Sequence, residues 1–223
     1  MGEMIRLKAS DGFELGAYLA RPKGVGKGAV VVVQEIFGVN AHIRDICDRF
    51  AAEGYAACAP AVFDRVEPDF ECGYAPADIA LARGVMGRFD MDKGLLDVAA
   101  ARDALTGYSP VSITGFCLGG SVAFAAATRL GGFLCAIPYY GGRIAAIKDE
   151  KPRCPVMMYF GTQDQSIPMT DVEAIKTAQP EAVVHVVEAG HGFMCDHRAS
   201  YSEGEAKKAW DQTIGYLDQL SGA

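Results

Sequence analysis

The chain has 223 residues, of which 50% are hydrophobic and 22% are charged, and this composition excludes a disordered protein. Its 28 acidic and 21 basic side chains give a net charge of −7, which argues against nucleic acid or an anionic membrane as a partner. The charged amino terminus and the strand-sized apolar runs predict neither a signal peptide nor a membrane span. Seven cysteines without a Cys-x-x-Cys pair indicate free thiols, so we expect a cytoplasmic protein.

Patterns typical of strands and of helices alternate along the whole chain. Eight strands are predicted, the first two forming a hairpin, at residues 4–8, 14–20, 29–34, 55–59, 111–115, 133–139, 156–160 and 183–188. Helices are predicted after the caps Asn40 and Asp90, over residues 118–130, and from capping boxes that begin at Thr170 and Ser202. This alternation predicts one α/β domain over residues 1–223, a mostly parallel, doubly wound sheet with an antiparallel amino-terminal edge and helices on both faces.

The segment Gly115-Phe116-Cys117-Leu118-Gly119 lies between a predicted strand and a predicted buried helix. Gly-x-Cys-x-Gly is the spacing of a nucleophile elbow, with cysteine in place of serine. The sharp turn strains the backbone of the nucleophile, and side chains two positions either side would collide, so glycine is needed there. The helix dipole favours a thiolate at this place. The pattern predicts that Cys117 is a nucleophile; the alternative is a buried cysteine in a tight turn.

Asp164 and His191 each follow one of the last two predicted strands, where the active sites of parallel sheets lie. Cys117, Asp164 and His191 therefore occur in the order nucleophile, acid, base that is typical of α/β-hydrolases. Asp164 has the alternative role of a turn residue or helix cap. Of the remaining histidines, His42 is expected to be solvated and His185 to be structural. His197 is the rival candidate for the base.

The loop QEIFGVN follows the apolar strand AVVVVQ and overlaps its last residue. In α/β-hydrolases the loop at this point supplies one backbone N–H to the oxyanion hole, and the residue after the nucleophile supplies the other. We therefore expect the N–H groups of Ile36 and Leu118 to bind a developing oxyanion. Two such donors lower the reaction barrier by about 3 kcal/mol each.

The motifs QEIFGVN, GFCLGG, GTQD and AGHGF together resemble the dienelactone hydrolase family, and the likeness runs from about Ser10 to the last helix. The resemblance implies an α/β-hydrolase fold and the hydrolysis of a lactone or small activated ester through a thioester intermediate, without a metal or other cofactor. It implies that Cys117 is the nucleophile, His191 the base and Asp164 the residue that orients the base. Glu35 resembles the glutamate that faces the thiol before substrate arrives.

Glu35 emerges from an apolar strand, where an unpaired carboxylate would cost several kcal/mol in desolvation. One alternative is an ion pair with Arg44 or Arg49 on the following helix. The other is a hydrogen bond from the thiol of Cys117, which would keep that thiol neutral and slow to oxidise.

The dienelactone hydrolases hold a substrate carboxylate with arginines, one of them four residues after the catalytic histidine. Cys195 occupies that position here, and the nearest arginine is Arg198. A second family arginine comes before the helix that leads to a Phe-Asp pair, a region where this chain has Arg83 and Arg88 in other registers. We therefore expect Arg83 and Arg198 to be the candidates for binding a substrate carboxylate.

Other readings of the sequence are a thioesterase and a non-catalytic, ligand-binding relative of the α/β-hydrolases. A metal site can be drawn from four neighbouring residues, but no second cluster supports it: His191, Cys195, Asp196 and His197. We expect the partner to be a small-molecule lactone or ester, with or without a carboxylate, bound by a monomer or small homo-oligomer.

Overall fold

The structure is a computed structural model that describes residues 1–222. Within these residues the chain forms two compact units, Met1–Ser112 and the residues from Ile113 onward. The boundary falls inside one β-strand. None of the helices in residues 1–222 combines the length and apolar character that crossing a bilayer requires. The prediction of one domain over residues 1–223 stays a prediction.

The first unit contains the antiparallel edge. Its strands are β1 (Glu3–Lys8), β2 (Glu14–Ala20), β3 (Gly28–Val33) and β4 (Tyr55–Pro60), in the spatial order β1-β2-β4-β3. β1 pairs with β2 and β2 with β4 in antiparallel fashion, whereas β3 and β4 are parallel, so the predicted hairpin edge is confirmed. β3 is buried along its whole length, as its run of valines predicts.

Three helices follow these strands in the first unit: α1 (Ala41–Ala52), α2 (Pro76–Met86) and α3 (Met91–Ala104). The predicted caps of α1 and α3 are confirmed. The side chain of Asn40 accepts a hydrogen bond from the N–H of Ile43 at 3.3 Å, and Asp90 accepts from the N–H groups of Asp92 and Lys93. These side-chain oxygens satisfy backbone donors that the first helical turn leaves without partners.

The second unit is a parallel sheet. Its strands are β5 (Val111–Phe116), whose first two residues precede the boundary, β6 (Ala136–Tyr139), β7 (Met157–Gly161) and β8 (Val183–Val187). They lie in the order β5-β6-β7-β8, and each neighbouring pair is parallel. The helices are α4 (Leu118–Arg129), α5 (Met169–Ala178) and α6 (Glu203–Ser221). α4 is buried from its first residue to Thr128, as its lack of charge predicts.

An aromatic stack fixes the carboxyl ends of the strands in the second unit. The ring of Tyr139 lies 4.9 Å from that of Phe116 and 4.7 Å from that of Tyr159, and both pairs are nearly parallel. The hydroxyl of Tyr139 contacts that of Thr213 in α6 at 2.5 Å, and Tyr159 donates to Gln212 at 3.2 Å. Because Phe116 precedes Cys117 directly, this packing sets where β5 ends.

Some local predictions are wrong. α5 begins at Met169 after Pro168, so Thr170 lies inside the helix rather than at its cap. β6 begins at Ala136 instead of residue 133. Helix α2 was not predicted, because its cap position holds Ala75, which has no side-chain acceptor; Asp78 instead reaches back to the N–H of Ala75 at 3.1 Å. Ser202 occupies the cap position of α6, as predicted, but its side chain forms no capping hydrogen bond.

Candidate active site

Cys117 lies on a strained turn between β5 and α4. Its backbone angles are φ 56° and ψ −113°, and its N–H donates to the carbonyl oxygen of Tyr139 at 3.1 Å. A Cβ at Gly115 would overlap the backbone of Gly119, and one at Gly120 would overlap the carbonyl of Tyr139. The predicted elbow is therefore present, because glycines stand where side chains have no room. Cys117 itself is half-buried, while the residues on both sides of it are buried.

The loops after β7 and β8 bring Asp164 and His191 together. Nδ1 of His191 lies 2.7 Å from one carboxylate oxygen of Asp164. The other carboxylate oxygen accepts the N–H of Ser166 at 2.8 Å, and the Asp164 side chain is fully buried. Asp164 is thus both a turn residue and the partner of the imidazole. With Nδ1 held in this way, Nε2 is the nitrogen available to the thiol.

Burial and the neighbours Asp164 and Cys117 act in opposite directions on the pKa of His191. Burial lowers the pKa of this imidazole, but hydrogen bonding and charge interactions with Asp164 and Cys117 together outweigh burial and raise the pKa from 6.5 to about 10. These interactions favour the protonated form of the imidazole. A protonated imidazole beside a thiol can transfer a proton to a leaving group and stabilises negative charge on sulfur.

The ring of Tyr140 packs between His191 and Phe193, a role that the sequence analysis missed. The ring of Tyr140 lies 5.0 Å from the imidazole and 5.4 Å from the ring of Phe193. Tyr140 has a positive φ of 38°, which is strained for a residue other than glycine. Its position directly after β6 was the one available indication, since side chains at strand ends of parallel sheets face the site.

The other histidines are placed differently. His42 is buried rather than solvated, with 1% of its surface exposed, so that expectation is wrong; α1 turns this residue inward with Ile43. His185 stacks on Tyr159 at 4.8 Å, as a structural histidine does. His197 is exposed and lies 3.7 Å from the carboxylate of its neighbour Asp196. His191 pairs with the buried Asp164 whereas His197 lies at the surface, so His191 is the candidate base.

Glu35 and Ile36, two predicted site residues of the first unit, lie in the loop that follows β3. Glu35 and Ile36 are both buried, with 1% and 8% of their surface exposed. Arg44, one of the two arginines considered for Glu35, places both terminal guanidinium nitrogens on the carboxylate of Glu71, at 2.6 and 3.0 Å. This bidentate ion pair raises the pKa of Arg44.

The two candidate arginines for a substrate carboxylate differ in their surroundings. Arg83 is exposed in the last turn of α2. Arg198 is half-buried, and its guanidinium lies against the backbone of Gly192, where a Cβ would overlap it. Gly192 has a φ of +80° and directly follows His191. Arg198 is therefore the arginine that lies beside the histidine loop.

Comparison with known proteins identifies the family to which this chain is similar. The family model for the dienelactone hydrolase family matches residues 15–221. A carboxymethylenebutenolidase from Pseudomonas putida is 30% identical, over 98% of this chain and 97% of its own length. A protein from Synechocystis sp., provisionally named carboxymethylenebutenolidase, is 36% identical over 91% of each chain.

A solved structure has the same fold. It comes from Klebsiella pneumoniae, is provisionally named a dienelactone hydrolase, and is 32% identical to this chain with a TM-score of 0.83 over 97% of this chain and 99% of the other. The predicted α/β-hydrolase fold is thereby confirmed. The family match covers almost the whole length, including the strands and loops that carry Cys117, Asp164 and His191. This chain belongs to the dienelactone hydrolase family.

Proposed function

We propose that the protein hydrolyses a lactone or a small activated carboxylic ester through an acyl group bound to Cys117. The single observation that carries this proposal is that His191 pairs with Asp164 at 2.7 Å and interacts with Cys117, which lies on a strained turn at the end of a parallel strand in the same unit. An activated thiol, a proton donor and a residue that orients it are the three groups that covalent acyl transfer requires.

The raised pKa of His191 suggests how protons move. The thiol of Cys117 gives its proton to the carboxylate of Glu35, and the thiolate attacks the substrate carbonyl. The resulting oxyanion collapses, the C–O bond breaks, and protonated His191 gives its proton to the departing alkoxide. Neutral His191 then takes a proton from water as the water attacks the thioester. The thiolate leaves, recovers its proton from Glu35, and the free acid or hydroxy acid departs.

Backbone donors stabilise the two oxyanions in this scheme. Leu118 is the first residue of α4, where N–H groups have no partner within the helix and the dipole favours negative charge. Ile36 is assigned as the second donor from its place in the family's QEIFGVN motif, so that assignment rests on sequence. A donor of this kind is worth about 3 kcal/mol in the transition state.

Replacement of Cys117 tests the proposal directly. The Cys117→Ala variant is expected to lose nearly all turnover of p-nitrophenyl acetate and the acyl-enzyme burst, because no group remains to form the thioester. Cys154→Ala is the matched control, since that thiol is also half-buried and burial raises its pKa to about 11. Wild-type activity in the Cys117→Ala variant would contradict a covalent role, whereas a wild-type protein without turnover would favour the non-catalytic relative.

Iodoacetamide labelling separates the seven thiols by reactivity. Burial raises the pKa of Cys58 to about 12 and that of Cys47 well above its usual range, so both should react slowly. Cys117 is expected to be alkylated first. Peptide mapping after partial reaction measures the order, and faster alkylation of a buried cysteine would argue against an activated Cys117.

We propose that Glu35 controls the reactivity of Cys117, on the basis of the family motif and of its burial. Glu35→Gln removes the negative charge, so Cys117 should be alkylated at lower pH and oxidised faster by peroxide. The same variant should lower kcat, because the carboxylate no longer accepts the thiol proton. An unchanged alkylation profile in the folded variant would leave Glu35 with a structural role, such as an ion pair with Arg49.

The substrate carries a carboxylate in our proposal, and Arg198 is favoured over Arg83 because it is half-buried beside the histidine loop. A guanidinium pairs with a carboxylate through two parallel hydrogen bonds, which fixes its orientation. Arg198→Gln should raise KM for a carboxylated lactone and leave its methyl ester unaffected. Equal kcat/KM of the wild type for acid and ester would contradict the proposal.

A thioesterase remains the alternative enzyme. Both activities use the same thioester-forming groups, so only the leaving group separates them. A comparison of kcat/KM for lactones, small esters and short acyl thioesters decides between the two, and higher values for thioesters would favour the alternative. A cytoplasmic location and a monomer or small homo-oligomer stay predictions.

A further inference from the structure

The loop of residues 36–40 is the last part of the connection from β3 to α1, and a second segment, residues 70–74, runs alongside it in the same unit. The loop contains Ile36, the proposed oxyanion donor, and Gly38 with a φ of +80°. We call residues 70–74 the brace. No part of the brace belongs to a helix or to one of the eight strands.

Backbone contacts join the brace to the loop. Gly38 and Glu71 form an antiparallel bridge, and the N–H of Cys72 donates to the carbonyl of Phe37 at 3.2 Å. A Cβ at Gly38 would overlap the carbonyl of Phe70. The brace thus lies so close to the loop that only glycine fits at the point of contact.

Tyr74 adds contacts from its side chain. Its hydroxyl accepts a hydrogen bond from Nδ2 of Asn40 at 2.9 Å, and its ring packs edge-on against Phe37 at 4.6 Å. Asn40 uses its other side-chain atom to cap α1. One residue of the brace therefore contacts both ends of the Phe37–Asn40 stretch.

Arg44 joins helix α1 to both segments. One terminal nitrogen donates to the carbonyl of Val39 and to the carboxylate of Glu71, each at 2.6 Å, and the other nitrogen donates to Glu71 at 3.0 Å. Arg44 and Glu71 are about one third and nearly one half exposed, so solvent screens their attraction and their effect on stability is small. The planar guanidinium nevertheless fixes the geometry of three segments.

From these contacts we infer that the brace positions the Ile36–Asn40 loop for catalysis, and that Glu71 and Tyr74 are positioning residues for the oxyanion hole. The inference rests on the proposed function, since it needs an oxyanion to be bound by Ile36. A donor stabilises the transition state only when it already points at the developing charge. The brace contacts Phe37 and Asn40, which lie on either side of Gly38 in the chain, and these contacts hold the loop in one orientation.

The consequence is a specific kinetic signature. A loosened loop weakens an interaction made only in the transition state, so kcat falls while KM stays the same. Loss of a whole donor costs on the order of 100-fold in kcat, and a displaced donor costs less. The alkylation of Cys117 by iodoacetamide needs no oxyanion hole and should not change.

The experiment compares the double variant Glu71→Gln/Tyr74→Phe with Glu67→Gln. Glu67 is the matched control because it also precedes α2 and also forms an exposed ion pair, with Arg88 at 3.3 Å. We expect the double variant to lose about tenfold in kcat at unchanged KM and to exchange amide hydrogens faster in residues 36–40. Each single variant should lie between the double variant and the control.

The outcomes separate the brace from the proposed function. If wild-type turnover does not depend on Cys117, the proposed function fails, while faster exchange in residues 36–40 still supports a brace. If turnover depends on Cys117 but the double variant matches Glu67→Gln in kcat, the positioning role is overturned, whatever the exchange rates. An equal fall of kcat and of Cys117 alkylation would also overturn it, because that result indicates general damage.

Discussion

The elbow around Cys117 and the loop of residues 36–40 are both turns that follow a buried strand, yet they are fixed in different ways. In the elbow, Gly115 lies against the backbone of Gly119, four positions away in the chain, although Gly120 and the N–H of Cys117 also contact the carbonyl of Tyr139. In the loop, Gly38 contacts the carbonyl of Phe70, which lies 32 residues further along the chain. The elbow can therefore be recognised from a short motif, whereas the support of the loop cannot.

This difference matters for how each region tolerates change. A turn that is shaped locally fails when its own glycines are replaced, because backbone meets backbone and neither can move. A turn that is held from outside can be loosened by residues that have no part in its motif. Activity should then be lost at positions where the fold survives.

The largest expected effect is in the second unit, at His191 and Asp164. His191→Ala and Asp164→Asn should each reduce kcat by roughly three to four orders of magnitude, since the imidazole is lost in one and held wrongly in the other. The double variant should be little worse than the poorer single variant, because the two residues act through one hydrogen bond of 2.7 Å. Steady-state kinetics on p-nitrophenyl acetate measures this, and losses that multiply would argue for independent roles.

Gly115→Ala and Gly38→Ala contrast the two turns directly. Gly115→Ala should destabilise the protein by more than about 4 kcal/mol or prevent folding, because its Cβ overlaps backbone four residues away. Gly38→Ala should lower kcat strongly with a smaller fall in Tm, because the half-buried brace can shift. Gly131→Ala is the control for both, since a Cβ there meets nothing within 4 Å. Equal Tm losses at Gly115 and Gly38 would contradict the contrast.

A smaller effect is expected in the pH dependence of stability. The pKa of His191 is about 10 in the folded protein and 6.5 in its ordinary state, so between these values the folded protein binds the extra proton. This stabilisation is fully present below pH 6.5 and is lost as pH rises toward 10. Urea unfolding measures this at pH 6 and pH 8, two values below the pH at which most thiols titrate. The free energy of unfolding should fall by at most about 2 kcal/mol between them in the wild type, and this fall should be absent in His191→Gln. Identical pH dependence in both proteins would mean that the resting site holds no extra proton.

Much of the fold could be predicted because burial and periodicity are local properties. The valines of β3, the uncharged run of α4 and the caps Asn40 and Asp90 all lie where their patterns indicate. The errors occur where local patterns compete with tertiary contacts. Thr170 has the spacing of a capping box, but α5 begins one residue earlier, at Met169, with Pro168 in the cap position. His42 has a polar side chain, yet the packing of α1 buries it.

The candidate nucleophile, acid and base could be identified from the sequence, because strand-end placement and flanking glycines are encoded within a few residues of each. Three contacts became visible only in the folded protein: Asp164 bonds to His191 in addition to forming a turn, Tyr140 packs on the imidazole, and Arg44 pairs with Glu71. The two residues of the Asp164–His191 pair and of the Arg44–Glu71 pair are 27 positions apart in the chain, and Tyr140 and His191 are 51 positions apart. The physical reason is that such pairs are selected by the packing of whole strands and helices, and no short stretch of sequence specifies that packing.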